Sequence, residues 1–298
     1  MRGVGSAVVA LLSAVSLVSA ENTLRRIRGV NIGGWLVLER WIKPSLFRDG
    51  FENNGFAFSK YNDNGVPADQ WNFCSILGKD ECRRRLEEHW DTWLTAEDVS
   101  TLASAGITHM RVPMGYWLLG DIQDDEPFVD GDLKYLLRLL NWARDNEMQV
   151  WVDLHAAPGS QNGFDNSGKY GSAEWALHPE NVERSVRFLN DFAQLISAEQ
   201  YDDVVTGIGL LNEPDPSTEL MTLTNFYERG FQAVRSHLPS AAIFVGDMFT
   251  PADFNWFWAN GAPDTHQVAD KNNPMTEETN GRVFLDTHIY HVFTSSLR

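Results

Sequence analysis

The sequence predicts an α/β fold of successive parallel βα units, making up most of an eight-stranded (β/α)8 barrel of the TIM type, and three observations lead there. Short β-branched or apolar runs alternate with stretches whose apolar residues recur at helical spacing. The first strand is followed by Asn31-Ile32-Gly33-Gly34-Trp35, which lacks the G-x-G-x-x-G of a dinucleotide-binding sheet and puts a Trp where a phosphate would approach. Polar residues instead gather at the carboxyl ends of the strands, where a barrel builds its site.

The first strand-like run is Arg28 to Ile32. Thr95 then opens a helix with Asp98 three residues on, a capping-box spacing, and Gly106 closes it before the second strand, His109 to Met114. Leu133, Leu136, Leu137 and Leu140 form one apolar helical face ahead of the third strand, Val150 to His155. Pro179 suits the first turn of a helix whose Val182, Val186, Leu189, Ala193 and Ile196 keep a three-four rhythm, and the fourth strand, Gly207 to Asn212, follows. Leu223, Tyr227, Phe231, Val234 and Leu238 repeat that rhythm before the fifth strand, Ile243 to Gly246. Val283 to Tyr290 makes a sixth. The acidic stretch Asp121 to Asp132 lacks the ligand spacing of a calcium loop and is expected to be a solvated loop.

The 298 residues carry 24 basic and 41 acidic side chains, a formal net charge of −17, which argues against nucleic acid as a partner. Residues 1–20 combine basic Arg2, an apolar run from Val4 to Val18 and the small-residue end Val18-Ser19-Ala20; this is expected to be a secretory signal peptide, leaving one domain over 21–298. Later stretches are not apolar enough to span a bilayer. Arg25-Arg26 reads either as a second processing site or as a solvated terminus. Secretion permits a disulfide, and Cys74 and Cys82, the two cysteines, are close enough to shut a small loop across Leu77-Gly78 or to stay as two buried thiols. There is no Asn-x-Ser/Thr acceptor for glycosylation.

Asn212-Glu213-Pro214 stands where the fourth strand ends, and the proline is expected to hold Glu213 extended, its carboxyl projecting as a last strand side chain would. Taken alone, the tripeptide is also compatible with a turn and a solvated Glu. The neighbouring strands add Arg111-Val112-Pro113, Asp153-Leu154-His155 and His288-Ile289-Tyr290, each delivering a hydrogen-bonding side chain to the same rim. His288 and Tyr290 share a face while His291 points to the other, so these histidines are not expected to form a metal site.

Several segments together resemble glycoside hydrolase family 5 of clan A, in particular its secreted fungal and oomycete exo-β-1,3-glucanases. They are Arg28 to Glu39, His89 to Thr95, Met110 to Trp117, Asp153 to Gly168, Asn212 to Pro214 and His288 to Phe293. The resemblance implies Glu213 as acid/base and Asn212 on the 2-hydroxyl, with Arg111, His155, His288 and Tyr290 shaping the donor subsite and Glu39 on the terminal glucose. It further implies Phe164 and Phe293 as an aromatic pair gripping the acceptor sugar, with Asp165 and Asn166 lining the same pocket. Where that family usually has Pro-Tyr after the position of Glu39, this chain has Arg40-Trp41.

The family's nucleophile is a Glu ending a seventh strand; Glu277 and Glu278 sit in a polar run and are expected to be loop residues. Strands seven and eight, with that nucleophile, are therefore expected to lie outside the 298 residues, as in a truncated product. The leading expectation is a secreted retaining β-1,3-glucosidase of the extracellular space or cell wall, monomeric, cofactor-free and acting on β-glucan, with no nucleic-acid or membrane partner. The alternatives are a β-1,4-glucanase or diglycosidase of the same family, and a non-catalytic glucan-binding protein.

Overall fold

The computed structural model describes residues 27–48, 51, 65–250 and 282–289. The signal-like leader, Arg25-Arg26, Glu277, Glu278, Tyr290, His291 and Phe293 lie outside them.

Six strands run parallel in sequence order, each hydrogen bonded to the next: β1 Gly29–Asn31, β2 His109–Gly115, β3 Gln149–Ala156, β4 Val205–Gly209, β5 Ala242–Gly246 and β6 Val283–Asp286. Between them lie α1 Pro44–Arg48, α2 Gln70–Thr92, α3 Ala96–Ser104, α4 Leu133–Asp145, α5 Pro179–Ala198 and α6 Leu220–Arg235. All six expected strands are present and in the expected order, forming part of a (β/α)8 barrel. Two ends differ from the sequence reading. β4 stops at Gly209 rather than Asn212, although Leu210 N and Asn212 N still donate to Phe244 O of β5 and Leu154 O of β3, and β6 stops at Asp286, beyond which the Thr287 and His288 side chains turn to Asp247 and Glu213.

Alternation along the strands divides two environments. Met110, Val112 and Met114 of β2, Val150, Val152 and Leu154 of β3, Ile208 of β4 and Ile243 and Val245 of β5 are buried beneath the helices. There they join Leu136, Leu139, Leu140 and Ala143 of α4, Phe188, Leu189 and Phe192 of α5, and Phe226, Tyr227 and Phe231 of α6. Each such side chain contributes about 1.5–3 kcal/mol on burial, so this layer fixes where the strand ends stand.

The other face carries a row of rings: His109 lies 4.9 Å from Trp151, Trp151 4.5 Å from Phe244, and Phe244 5.6 Å from Phe284. β4 contributes only glycines beside them. A Cβ at Gly207 would sit 2.6 Å from Trp151 Cδ1 and 2.8 Å from Phe244 Cε2, so the rings of β3 and β5 meet only because position 207 has no side chain.

The local signals hold in detail. Thr95 Oγ1 accepts from Asp98 N while Asp98 Oδ2 accepts from Thr95 N, a complete capping box, and Pro179 opens α5. The sequence reading passed over α2, the longest helix described. Gly78 (φ 73°) breaks its helical geometry midway, and the disulfide Cys74–Cys82, with Cα atoms 5.0 Å apart, spans that kink. The cysteines are thus paired rather than free.

The acidic stretch is a second correction. It is not simply solvated: Arg184 of α5, 4% exposed, holds Glu126 through two bonds of 2.7 and 2.9 Å and Asp121 through a third of 3.1 Å. Asp132, at the start of α4, is fully buried, and burial pushes its carboxyl up to about 8. Among the described residues no helix is long and apolar enough to cross a membrane.

Candidate active site

The carboxyl ends of the strands enclose a cavity of about 440 Å³. From β1 onward it is lined by Asn31, Glu39, Arg111, Asp153, His155, Asn166, Asn212, Glu213, Asp286 and His288, over a floor of Trp151, Gly209 and Phe244. Seven of the residues singled out from the sequence therefore converge: Glu39, Arg111, His155, Asn166, Asn212, Glu213 and His288.

Glu39 is placed by the loop after β1. Its Oε1 accepts from Gly34 N at 2.9 Å, and α2 supports that loop from below, with His89 Nε2 2.8 Å from Gly34 O and Gln70 Oε1 accepting from Leu38 N at 3.0 Å. Arg111 of β2 donates to Asn31 Oδ1 at 2.9 Å, to Asp153 Oδ2 at 3.1 Å and to Asn212 Oδ1 at 2.8 Å, joining β1, β3 and the end of β4 through one guanidinium. Asp153 Oδ2 also lies 3.0 Å from His155 Nδ1 and so fixes that ring. This leaves His155 Nε2 and Asn212 Nδ2 buried with no protein partner.

Glu213 departs from the expected extended conformation. Its φ is +44°, in the left-handed region, despite the proline after it. The reason lies in the clamp around the tripeptide. Asn212 N donates to Leu154 O at 3.0 Å, Gln161 Nε2 to Asn212 O at 2.9 Å, and Asp215 N to Gln161 O at 3.0 Å. Bonds on both sides hold a backbone conformation that costs about 1–3 kcal/mol by itself. The carboxylate so turned accepts from Asn166 Nδ2 at 2.9 Å on Oε2, and its Oε1 stands 2.7 Å from His288 Nδ1.

On its far side His288 Nε2 lies 3.2 Å from Asp286 Oδ2. The hydrogen bond to Asp286, then that to Glu213, raise the imidazole to about 10 against the opposing effect of burial. For Asp286 itself burial acts upward, but the hydrogen bond from His288 and the charges of His288 and Arg111 hold it below the usual carboxylate value.

Phe164 and Asp165 do not line the cavity. Phe164 is 48% exposed, next to the 3-10 turn Asp165–Ser167 that carries Asn166. Asp165 is lifted by burial and takes a side-chain hydrogen bond from Trp41, which also lies 5.2 Å under the Arg40 guanidinium. Trp41 therefore meets the turn that holds Asn166. Tyr290 and Phe293 fall outside the described residues. The sequence reading missed four participants: Asn31, Asp153, Gln161 and Asp286. Period-two alternation pairs Asp153 with His155 and Asp286 with His288, so two of these were visible as a pattern; Gln161 acts through backbone carbonyls and leaves no such trace. Among the described residues no three His, Cys, Asp or Glu side chains group to hold a metal ion.

The sequence profile of cellulase (glycosyl hydrolase family 5) matches residues 77–297. The chain belongs to glycosyl hydrolase family 5. This family 5 chain is 38% identical over 303 residues to a glucan 1,3-beta-glucosidase of Blumeria graminis, covering 99% of the chain and 64% of that protein. It is 39% identical over 274 residues to glucan 1,3-beta-glucosidase I/II of Saccharomyces cerevisiae, covering 90% of the chain and 56% of that protein. It thus spans less than two thirds of these relatives' length. Among solved structures, the rutinosidase from Aspergillus niger superimposes with a TM-score of 0.69 at 22% identity, over 90% of this chain and 70% of that one, a likeness of fold.

Proposed function

We propose that this family 5 chain contributes the acid/base half of a retaining glycosidase that removes glucose from the ends of β-1,3-glucan. The observation that carries the reading is the Glu213 carboxyl held between Asn166 and His288 on the wall of the cavity, directly beside Asn212. In the first step Glu213 gives its proton to the glycosidic oxygen, and His288 stabilises the carboxylate that results; in the second step that carboxylate takes a proton from the attacking water. The buried and unpartnered Asn212 Nδ2 and His155 Nε2 suit sugar hydroxyls, since each unmet polar atom costs about 1–3 kcal/mol. Asn212 takes the 2-hydroxyl; Glu39 and Arg111, with Tyr290 on the same donor side, orient the terminal sugar; Phe164, on the rim, takes the acceptor sugar together with Phe293. The nucleophile is not assigned among the described residues. The names of the relatives favour the β-1,3 linkage over β-1,4 or diglycoside substrates. A polymeric extracellular substrate and the leader-like first twenty residues fit a secreted protein.

The test compares release of glucose from laminarin, cello-oligosaccharides and rutinosides by purified protein that carries the whole eight-stranded barrel and by its Glu213→Gln form. Laminarin is expected to be preferred, with the β-anomer released first, and the substitution to lower kcat/KM by about 10²-fold or more. Equal turnover by both forms removes Glu213 from the chemistry. Laminarin binding without turnover in either form identifies a glucan-binding protein instead.

A further inference from the structure

We infer that Asp286 is a positioning residue for Glu213: through His288 it holds the proton that the acid/base gives and takes back, and so sets the upper pH limit of the reaction. The inference rests on the proposed role of Glu213, and it arises from a continuous line of contacts. Glu213 Oε1 stands 2.7 Å from His288 Nδ1, and His288 Nε2 stands 3.2 Å from Asp286 Oδ2. Asp286 and His288 are two residues apart, which puts both on the cavity face of β6 and its continuation.

The proton count gives the line its meaning. With Asp286 ionised and accepting from Nε2, His288 keeps Nδ1 toward Glu213. One proton then resides either on His288 Nδ1, leaving Glu213 ionised, or on Glu213 Oε1, leaving His288 neutral. Passing it between these atoms over 2.7 Å makes and breaks one bond each and creates no net charge in the group. Loss of that proton, not the ionisation of Glu213 alone, ends the acid step, and two coupled sites titrate with values that belong to the pair. The raised His288 value, about 10, agrees with a proton held by two carboxylates.

Other charged groups around the cavity act on the same balance. Glu39 enters from the loop after β1, Arg111 from β2 and Asp153 from β3. His155 faces in from β3 as well. Asp247, at the end of β5, accepts from Thr287 Oγ1 at 2.8 Å, one residue from His288. Asp286 and Glu213 each bond one of the imidazole nitrogens.

Asp286→Asn preserves an acceptor for Nε2 and removes the charge. Histidine-selective NMR titration of the whole protein is expected to show the His288 value falling by about one pH unit or more in Asp286→Asn, and also falling in Glu213→Gln. The basic limb of kcat/KM on laminarin is expected to move to lower pH by a similar amount, whereas a role confined to packing lowers activity equally at every pH. A His288 titration unchanged in Asp286→Asn overturns the inference, as does a basic limb that stays in place while activity falls. If no form hydrolyses glucan, the proposed reaction fails, and the NMR titration still decides whether Asp286 holds the shared proton.

Discussion

Gln161 shows how one side chain sets the backbone of a proposed acid/base residue. Its amide donates to His155 O and Asn212 O, its Oε1 accepts from Ala157 N, and its own carbonyl accepts from Asp215 N, so it ties the ends of β3 and β4 across the tripeptide that carries Glu213. Gln161→Leu leaves three buried backbone groups unpaired and releases a left-handed glutamate. The expected outcome is a loss of about 3 kcal/mol in urea denaturation, together with a fall in kcat/KM of about tenfold or more as Glu213 relaxes toward extended geometry. A variant as stable as the parent would show that Glu213 is held by other means. The left-handed Glu213 was itself illegible in the sequence. The rule for residues before proline points to extended backbone, and what outweighs it here is a clamp made by a residue 52 positions earlier.

At the scale of elements, α5 does more than cover the sheet. Arg184 reaches from its buried face to Glu126 and Asp121, fixing the loop between β2 and α4 against the barrel wall. Because a buried ion loses its compensation when its partner is removed, Arg184→Ala is expected to cost about 3–5 kcal/mol in chemical denaturation. Replacing Arg184 and Glu126 together by Met and Leu is expected to recover much of that loss. Strands, helix starts and the converging site residues were legible because they depend on local spacing: apolar periodicity, the Thr95–Asp98 box, Pro179, and the polar residues placed at successive strand ends. The buried ion pair was not. Its acidic partners look solvated until a guanidinium from a helix some 60 residues on is brought against them. α2 escaped for a different reason: a central glycine and a charged run hide a helix whose buried face, Phe73, Cys74, Cys82, Leu86 and Trp90, emerges only once the disulfide spans the kink.

For the molecule as a whole, stability depends on protons held in the interior. Burial raises Asp69 to about 6 and Asp132 to about 8, so the folded chain binds protons there that the unfolded chain has released above about 4. Their contribution is complete in acid and declines as pH rises, through about 6 for Asp69 and about 8 for Asp132. His288 adds to the trend, its stabilisation being full below about 6.5 and lost toward 10. His89, lowered to about 4 mainly by burial, works the opposite way and weakens the fold as pH drops from about 6.5. Denaturation midpoints are therefore expected to fall between pH 6.5 and 8. Asp132→Asn is expected to reduce that slope by up to about 1.4 kcal/mol per pH unit, and parallel slopes in the two proteins would contradict it. A different economy governs the hollow at the strand ends. Trp151 and Phe244 press together across β4, and Asp153 leans over Gly209, because that strand sends nothing inward but hydrogen atoms. The hollow is thus carved by omission in a single stave, and one methyl added at Gly207 or Gly209 would push Trp151, Phe244 or Asp153 out of place and reshape it.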